Sequence, residues 1–161
     1  MPKNQTLDEF YSTFREEVLC ASDTETSGWT TEDFLTNVMM EYLDCLLYTS
    51  DAADPVICPF RGYGLQMNAY AISEDCESVD IFVSIYSASD RPRSVSQADI
   101  DAAIKRAIQL YHKAINDLYT AFQKDNDTYE FAITLHQNKD NIKHVRICAL
   151  TNGLVKPIAL K

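Results

Sequence analysis

Residues 61–90, RGYGLQMNAYAISEDCESVDIFVSIYSASD, contain two runs of strand-forming residues that flank a short acidic turn. Because the polar SEDCES sequence suits an exposed tip, the pattern predicts a β-hairpin with strands at about 65–72 and 79–86. In the second run, four aliphatic residues alternate with Asp80, Phe82, Ser84 and Tyr86. Successive side chains of a strand point to opposite faces, so we expect the aliphatic face to pack on the core. The mixed face then lies against either a groove or a second layer.

Two helices are predicted before the hairpin. Thr6 and Glu9 match a capping box, and an apolar stripe of four-residue spacing extends this helix over about 7–20. Thr30 or Thr31 can cap the second helix. Its broad apolar face comprises Phe34, Leu35, Val38, Met39, Tyr42 and Leu46.

A long helix over 96–123 is predicted after the hairpin, because a Ser96 cap and Asp99 in the first turn satisfy free N–H groups. Its apolar stripe comprises Ile100, Ile104, Ile108, Tyr111, Ile115, Leu118 and Phe122. Residues 128–143 fit a strand or a short helix, and we favour the helix, because HVRICAL at 144–150 is the better strand. A TNG turn follows it. We therefore predict an α+β fold with α/β-like character, in which helices pack on a small mixed sheet.

Length and composition favour a single packed domain, 1–161. The chain is 46% hydrophobic and 11% aromatic, which argues against disorder. It has no apolar run of membrane-spanning length and no signal-peptide pattern at MPKNQTLDEF, so we expect a cytoplasmic protein without a membrane partner. The five cysteines are scattered and odd in number, and the three histidines show no ligand spacing with them. This arrangement favours reduced thiols over a disulfide framework or a zinc site.

The net charge of −10 lies entirely in the N-terminal third of the chain. Residues 1–54 contain 12 acidic and two basic residues, whereas residues 55–161 contain 12 of each. An acidic field repels phosphate backbones at long range, so it lowers the expectation of a dedicated nucleic-acid binder.

Residues 45–54, CLLYTSDAAD, resemble the translation of a transposase adapter used to build sequencing libraries. We interpret this stretch as a sequencing-adapter artefact that replaces a natural connection between helix and strand. The alternative is a true helix end followed by a loop rich in serine and aspartate.

The hairpin resembles the position at which restriction-endonuclease-like nucleases hold a metal. Such sites place an acid on one strand and an acid-x-Lys on the next, so that two carboxylates hold a divalent cation. Here the first strand has Asn68 where an acid is wanted, and Asp80 is followed at the lysine position by Phe82. Glu17 or Glu41 could add a helical acid. We therefore predict no metal and no cofactor, with Mg²⁺ or Mn²⁺ as the alternative, and consider Asp80, Asn68, Glu17 and Glu41 as weak catalytic candidates.

Basic residues near the hairpin are the candidates for nucleic-acid binding. Arg61, Arg91 and Arg93 could form a small patch, which Lys105, Arg106 and Lys113 on the long helix could extend. The pattern is more typical of a solvated face than of a nucleic-acid groove. Gly62 and Gly64 indicate a tight bend before a strand, since no helix N-terminus follows them.

The chain resembles the N-terminal region of bacterial AIPR proteins, the abortive-infection phage-resistance family. The resemblance covers most of 7–156 and is carried by Arg61-Gly62 with Gly64, Ile81 to Ser84, Lys105-Arg106 and Thr151 to Gly153. It implies a role in bacterial defence against phage, a restriction-endonuclease-like core, and a protein of which this chain is the N-terminal fragment.

The missing acid-x-Lys favours a non-catalytic domain with a scaffold, regulatory or sensing role. The alternatives are a divergent metal-dependent nuclease that uses Asp80 with a helical glutamate, and a dimerisation module built on the long helix. The expected partners are the remainder of the full-length chain, a phage component or a second copy. Nucleic acid stays open as a partner but is not favoured.

Overall fold

A computed structural model describes residues 6–24, 33, 35–40, 56–62 and 64–154. The elements in chain order are α1 (Leu7–Thr24), a helical segment at 35–40, β1 (Val56–Gly62), β2 (Leu65–Ile72), β3 (Ser78–Ile85), α2 (Gln97–Asn116), a 3-10 turn (Leu118–Ala121), α3 (Asp127–Gln137) and β4 (His144–Thr151). Among these residues, four strands form one sheet in the order β1-β2-β3-β4. Strand β2 is antiparallel to both β1 and β3, whereas β4 is parallel to β3. The predicted α+β class with a small mixed sheet is confirmed.

Helix α1 begins at the predicted capping box. The Glu9 N–H donates to Thr6 Oγ1 and the Thr6 N–H donates to Glu9 Oε2, each over 3.2 Å. The helix continues to Thr24, beyond the expected end near residue 20. Its buried stripe ends in Phe14 and Val18, which pack against the 35–40 segment.

The predicted second helix is described only at residues 33 and 35–40, where Leu35 and Val38 are buried as expected. Its predicted caps, Phe34, and everything from Glu41 onward lie outside the described residues. The suspected adapter stretch at 45–54 also lies outside them.

Strand β1 was not predicted, because Pro55 and Pro59 interrupt its sequence. Proline lacks the N–H of the ladder, but an edge strand tolerates it. In the structure β1 is such an edge, and its register with β2 shifts between Ile57 and Phe60, around Pro59. Gly64, with φ +74°, turns the chain into β2 as the RGYG sequence predicted.

The hairpin of β2 and β3 is confirmed within one residue at each end. The aliphatic face of β3 joins the main core, which includes residues of α2 and α3. On the opposite face, Phe82 packs with Ala69, Ala71, Leu150 and Met40, so this face lies against a second layer rather than an open groove.

Helix α2 begins as predicted, because Ser96 Oγ accepts the Asp99 N–H at 3.1 Å. The predicted end at 123 is wrong. The helix ends at Asn116, and a 3-10 turn then keeps Leu118 in the core. The buried face is also displaced from the predicted stripe, since Ile108 is 41% exposed. The residues that face the sheet are Ala103, Ala107, Leu110 and Ala114, whose small side chains permit a close approach.

Helix α3 confirms the preference for a helix within 128–143. Asn126 caps it by accepting the Thr128 N–H at 2.8 Å. Phe131 and Leu135 are buried, and each such side chain contributes about 1.5–3 kcal/mol. With α2, this helix forms the crossover that returns the chain to β4 beside β3.

The predicted TNG turn is hydrogen-bonded to the loop after β3. Asn152 accepts the Ser87 N–H at 3.0 Å and donates to the Ser87 carbonyl at 2.8 Å. Leu154 then forms a parallel bridge with Ser94. Among the described helices, none has the length and hydropathy needed to cross a membrane.

Candidate functional site

The two central strands separate at one end, and side chains fill the separation. The register of β2 with β3 runs from Ile72 opposite Val79 to Ala69 opposite Phe82. Further along, Ser84 bonds to side chains of β2 instead. Its N–H donates to Asn68 Oδ1 at 2.9 Å, and its carbonyl accepts from Gln66 Nε2 at 3.2 Å. Two amide side chains therefore replace the backbone ladder at this point.

These groups belong to a larger set that we call the polar cluster: Thr36, Gln66, Asn68, Ser84 and Arg106. Gln66 Nε2 also donates to Asn68 Oδ1 at 3.1 Å, and the hydroxyls of Thr36 and Ser84 are hydrogen-bonded to each other. Arg106 Nε donates to Gln66 Oε1 at 3.0 Å. All members except Arg106 are buried, so their mutual bonds offset the cost of removing polar groups from water.

The cluster explains why Asn68 is an amide. Its Oδ1 receives two N–H donors, from Ser84 and Gln66. A cation at this oxygen would have to displace both donors and would meet a neutral ligand. Asn68 is thus part of a structural hydrogen-bond network.

Asp80 is held by an arginine from the neighbouring strand. Arg146 lies directly opposite Asp80 in the register, and its Nε and Nη2 donate to Oδ1 and Oδ2 at 3.0 and 2.7 Å. The Asp80 side chain is 6% exposed and that of Arg146 48%. This two-point geometry is the strongest form of a carboxylate–guanidinium pair. Both carboxylate oxygens therefore face a positive partner.

The structure does not bring Asn68 and Asp80 together. Asp80 lies opposite Ala71, three residues along β2 from Asn68, which corresponds to about 10 Å at the usual rise per residue. Glu17 is exposed on α1, and Glu41 lies outside the described residues. Within the described part of the chain, no group of three histidine, cysteine or acidic residues could hold a metal ion. Phe82, at the lysine position of the expected motif, is completely buried.

Further polar contacts at the turn between β2 and β3 are structural. The Ser73 hydroxyl donates to Asp75 at 2.6 Å, and this bond lowers the pKa of the Asp75 carboxyl. Lys143 donates to Glu77 at 2.8 Å, which raises the pKa of the lysine. The first pair lies within the turn, and the second connects the turn to the chain before β4.

The predicted basic residues fall into two groups. Arg61 lies opposite Gln66 in the register of β1 and β2, and Arg106 bonds to the same Gln66, beside the exposed Lys105. Arg91 and Arg93 lie instead in the loop after β3, where Arg93 Nε donates to Ser89 Oγ. That loop contacts α1 through the Tyr11 hydroxyl, which donates to the Ser89 carbonyl at 2.7 Å. Lys113 forms an exposed pair with Asp117.

Three of the motifs that carry the family resemblance meet in the polar cluster. The RGYG turn leads into Gln66, the IFVS run ends at Ser84, and the Lys105-Arg106 pair supplies Arg106. Gln66, Ser84 and Thr36 were not singled out from the sequence. The available signal was the polar pair Gln66 and Asn68 inside an otherwise apolar strand.

Comparison with known proteins assigns the family. No curated protein and no solved structure matches the chain. The family described as "Abortive infection phage resistance protein N-terminal domain" matches residues 35–161, which is more than three quarters of the chain. The matched range contains all four strands, the polar cluster and the Asp80–Arg146 pair. The chain therefore belongs to the family of abortive infection phage resistance protein N-terminal domains.

Proposed function

We propose that this domain is a non-catalytic scaffold, regulatory or sensing domain of a bacterial abortive-infection protein that acts in the cytoplasm. Its partners are the remainder of a longer chain and a phage component. Family membership supports the defence role. The observation that carries the non-catalytic role is the two-point ion pair between Asp80 and Arg146.

The ion pair matters because a hard divalent cation needs several oxygen ligands, usually including carboxylates. Asp80 is the buried carboxylate of β3, and an arginine already neutralises it. Asn68 is neutral and accepts two N–H groups. A cation would therefore have to break an ion pair on one strand or two hydrogen bonds on the other.

The order of elements supports a restriction-endonuclease-like ancestry for the domain. In the described part of the chain, α1 and the helical segment at 35–40 precede three antiparallel strands, and helices then cross to a fourth strand that is parallel to the third. We propose that this core lost its metal site or never had one. The competing proposal is a divergent nuclease that uses Asp80 with a helical glutamate.

Phage plaque counts on bacteria that express the full-length protein distinguish the two proposals. Asp80→Asn removes the carboxylate, whereas Arg146→Ala breaks the same ion pair and keeps the carboxylate. A structural Asp80 predicts that each variant protects in proportion to its folded amount. A catalytic Asp80 predicts that only Asp80→Asn loses protection while it stays folded.

Calorimetric titration of the same proteins with Mg²⁺ or Mn²⁺ gives a second, independent result. We expect the unsubstituted protein to show no heat of cation binding that depends on Asp80. Saturable binding that Asp80→Asn abolishes, together with cleavage of DNA or RNA, would establish the nuclease instead.

A further inference from the structure

Two arginines converge on one buried glutamine at the β1–β2 end of the sheet. Arg61 lies directly opposite Gln66 in an antiparallel register, so the two side chains share a face with their Cβ atoms about 5 Å apart. Arg106 reaches the same Gln66 from α2 through its Nε. The exposed Lys105 precedes it on the helix. Basic residues of β1 and α2 are therefore neighbours of Gln66.

The guanidinium of Arg106 is held in a defined orientation. Gln66 is 1% exposed, and its amide is itself fixed by bonds to Asn68 and Ser84. Its Oε1 binds Arg106 through Nε alone. Within the described part of the chain, the two terminal nitrogens of Arg106 make no hydrogen bond and no ion pair. A guanidinium fixed at Nε presents those nitrogens as a fork that matches the oxygens of a phosphate or carboxylate.

We propose that Arg106, oriented by Gln66 and assisted by the neighbouring Lys105, binds a phosphate group. The guanidinium fork and the lysine together carry two positive charges, which match a doubly charged phosphate or successive phosphodiesters better than a single carboxylate. Arg61 makes other interactions and is not part of the site. The net charge of −10 belongs to residues 1–54, whereas residues 55–161, which supply Arg106, Gln66 and Lys105, are neutral overall.

The phosphate can come from a free nucleotide or from a nucleic-acid backbone, which share this chemistry. A site of a few cations on an acidic protein predicts weak, salt-sensitive binding, with Kd in the range of about 10⁻⁴ to 10⁻⁶ M for a nucleic acid. Such a site suits the sensing form of the proposed function. The phosphate site depends on Arg106 and Gln66 and not on Asp80.

Fluorescence anisotropy of the full-length protein with labelled single-stranded DNA, duplex DNA, RNA and ATP tests the site, with inorganic phosphate as the competitor. Arg106→Gln should weaken binding about tenfold, because it removes one charged contact. Arg106→Lys should recover only part of the loss, since lysine keeps the charge without the fork. Lys124→Gln, at an exposed position after the 3-10 turn, should leave affinity unchanged. Thermal melting verifies that each variant is folded.

The outcomes separate the sources. Binding of the oligonucleotides that Arg106→Gln weakens supports a backbone site, and binding of labelled ATP without the oligonucleotides, also weakened by Arg106→Gln, supports a free phosphate site. The proposal is overturned if no probe binds, or if folded Arg106→Gln and Lys124→Gln behave alike. Neither result bears on the plaque test of Asp80.

Discussion

Asp80 on β3 and Arg146 on β4 face each other across two parallel strands and are joined by two hydrogen bonds of 3.0 and 2.7 Å. The carboxylate is buried, and the guanidinium reaches it from a half-exposed position. The guanidinium thus covers the solvent-facing side of the carboxylate and offsets the cost of burying its charge. It also gives β4 a residue-specific contact that fixes its register against β3.

Loss of Arg146 should therefore cost more than loss of an ordinary surface charge. Arg146→Ala removes the two guanidinium donors of the Asp80 carboxylate, and we expect the free energy of unfolding to fall by about 2 kcal/mol. Urea denaturation measures this change. Lys143→Ala, which breaks the exposed pair with Glu77, is the control and should have a much smaller effect on the free energy of unfolding. Equal effects of the two variants would contradict a special role for the Asp80 pair.

Asn68 should be intolerant of an apolar replacement of similar size. Asn68→Leu removes the Asn68 acceptor of the buried Ser84 N–H and one of the two acceptors of Gln66 Nε2, and we expect a loss of about 2–4 kcal/mol. The same substitution at Asn116, which is exposed on α2, should stay within about 0.5 kcal/mol of the parent. If Asn68→Leu denatures at the parent urea concentration, the polar cluster does not hold the separated strands together.

Gly153 is required by close packing and not by its backbone angles. A Cβ at this position would lie 2.2 Å from Val95 Cγ2 and 2.8 Å from the Arg93 carbonyl oxygen. Because the backbone of the 93–95 loop would have to move, Gly153→Ala should lower stability by about 1–3 kcal/mol.

Two other glycines serve as controls for this substitution. At Gly62 the nearest atom to an added Cβ is 3.9 Å away, so Gly62→Ala should be tolerated. Gly64 has open space but a φ of +74°, so Gly64→Ala should cost about 1 kcal/mol through backbone strain alone. If Gly153→Ala lowers the melting temperature least of the three variants, the 93–95 loop adapts to the added Cβ and the prediction is wrong.

The buried thiol of Cys58 should make stability depend on alkaline pH. Burial raises the pKa of Cys58 above its ordinary value of 9.0, and its contact with Thr128 lowers it only in part. The folded protein therefore keeps this proton at a pH where the unfolded chain has lost it. Stability from this group is complete below pH 9 and declines as the pH rises through the folded pKa.

Urea midpoints measured from neutral pH to above pH 9 test this dependence, with Cys58→Ala as the comparison. The alanine variant should show a shallower decline, although it is less stable at neutral pH because of the lost packing. Iodoacetamide should also alkylate Cys58 more slowly than the exposed Cys20. Parallel curves for the two proteins, or equal alkylation rates, would contradict the predicted shift.

Local patterns determined much of this fold from the sequence. The alternation at 79–85, the capping residues Thr6 and Ser96, and the preference for a helix after residue 127 each depend on neighbours within a few positions. Such interactions have the same effect in any tertiary setting, so they could be predicted correctly. The family resemblance rested on the same short stretches, and the match over 35–161 confirms it.

Tertiary structure decided the remainder, because it depends on residues that are far apart in the chain. Strand β1 tolerates Pro59 because it is an edge strand that pairs with β2 on one side only. The alanine face of α2 turns inward, and Ile108 outward, because the sheet requires a close approach. Asp80 received an arginine 66 positions later, and Gln66 one 40 positions later, through strand register and helix packing. Residue types and spacing indicated which side chains are polar, whereas only the assembled sheet decided which of them neutralise each other.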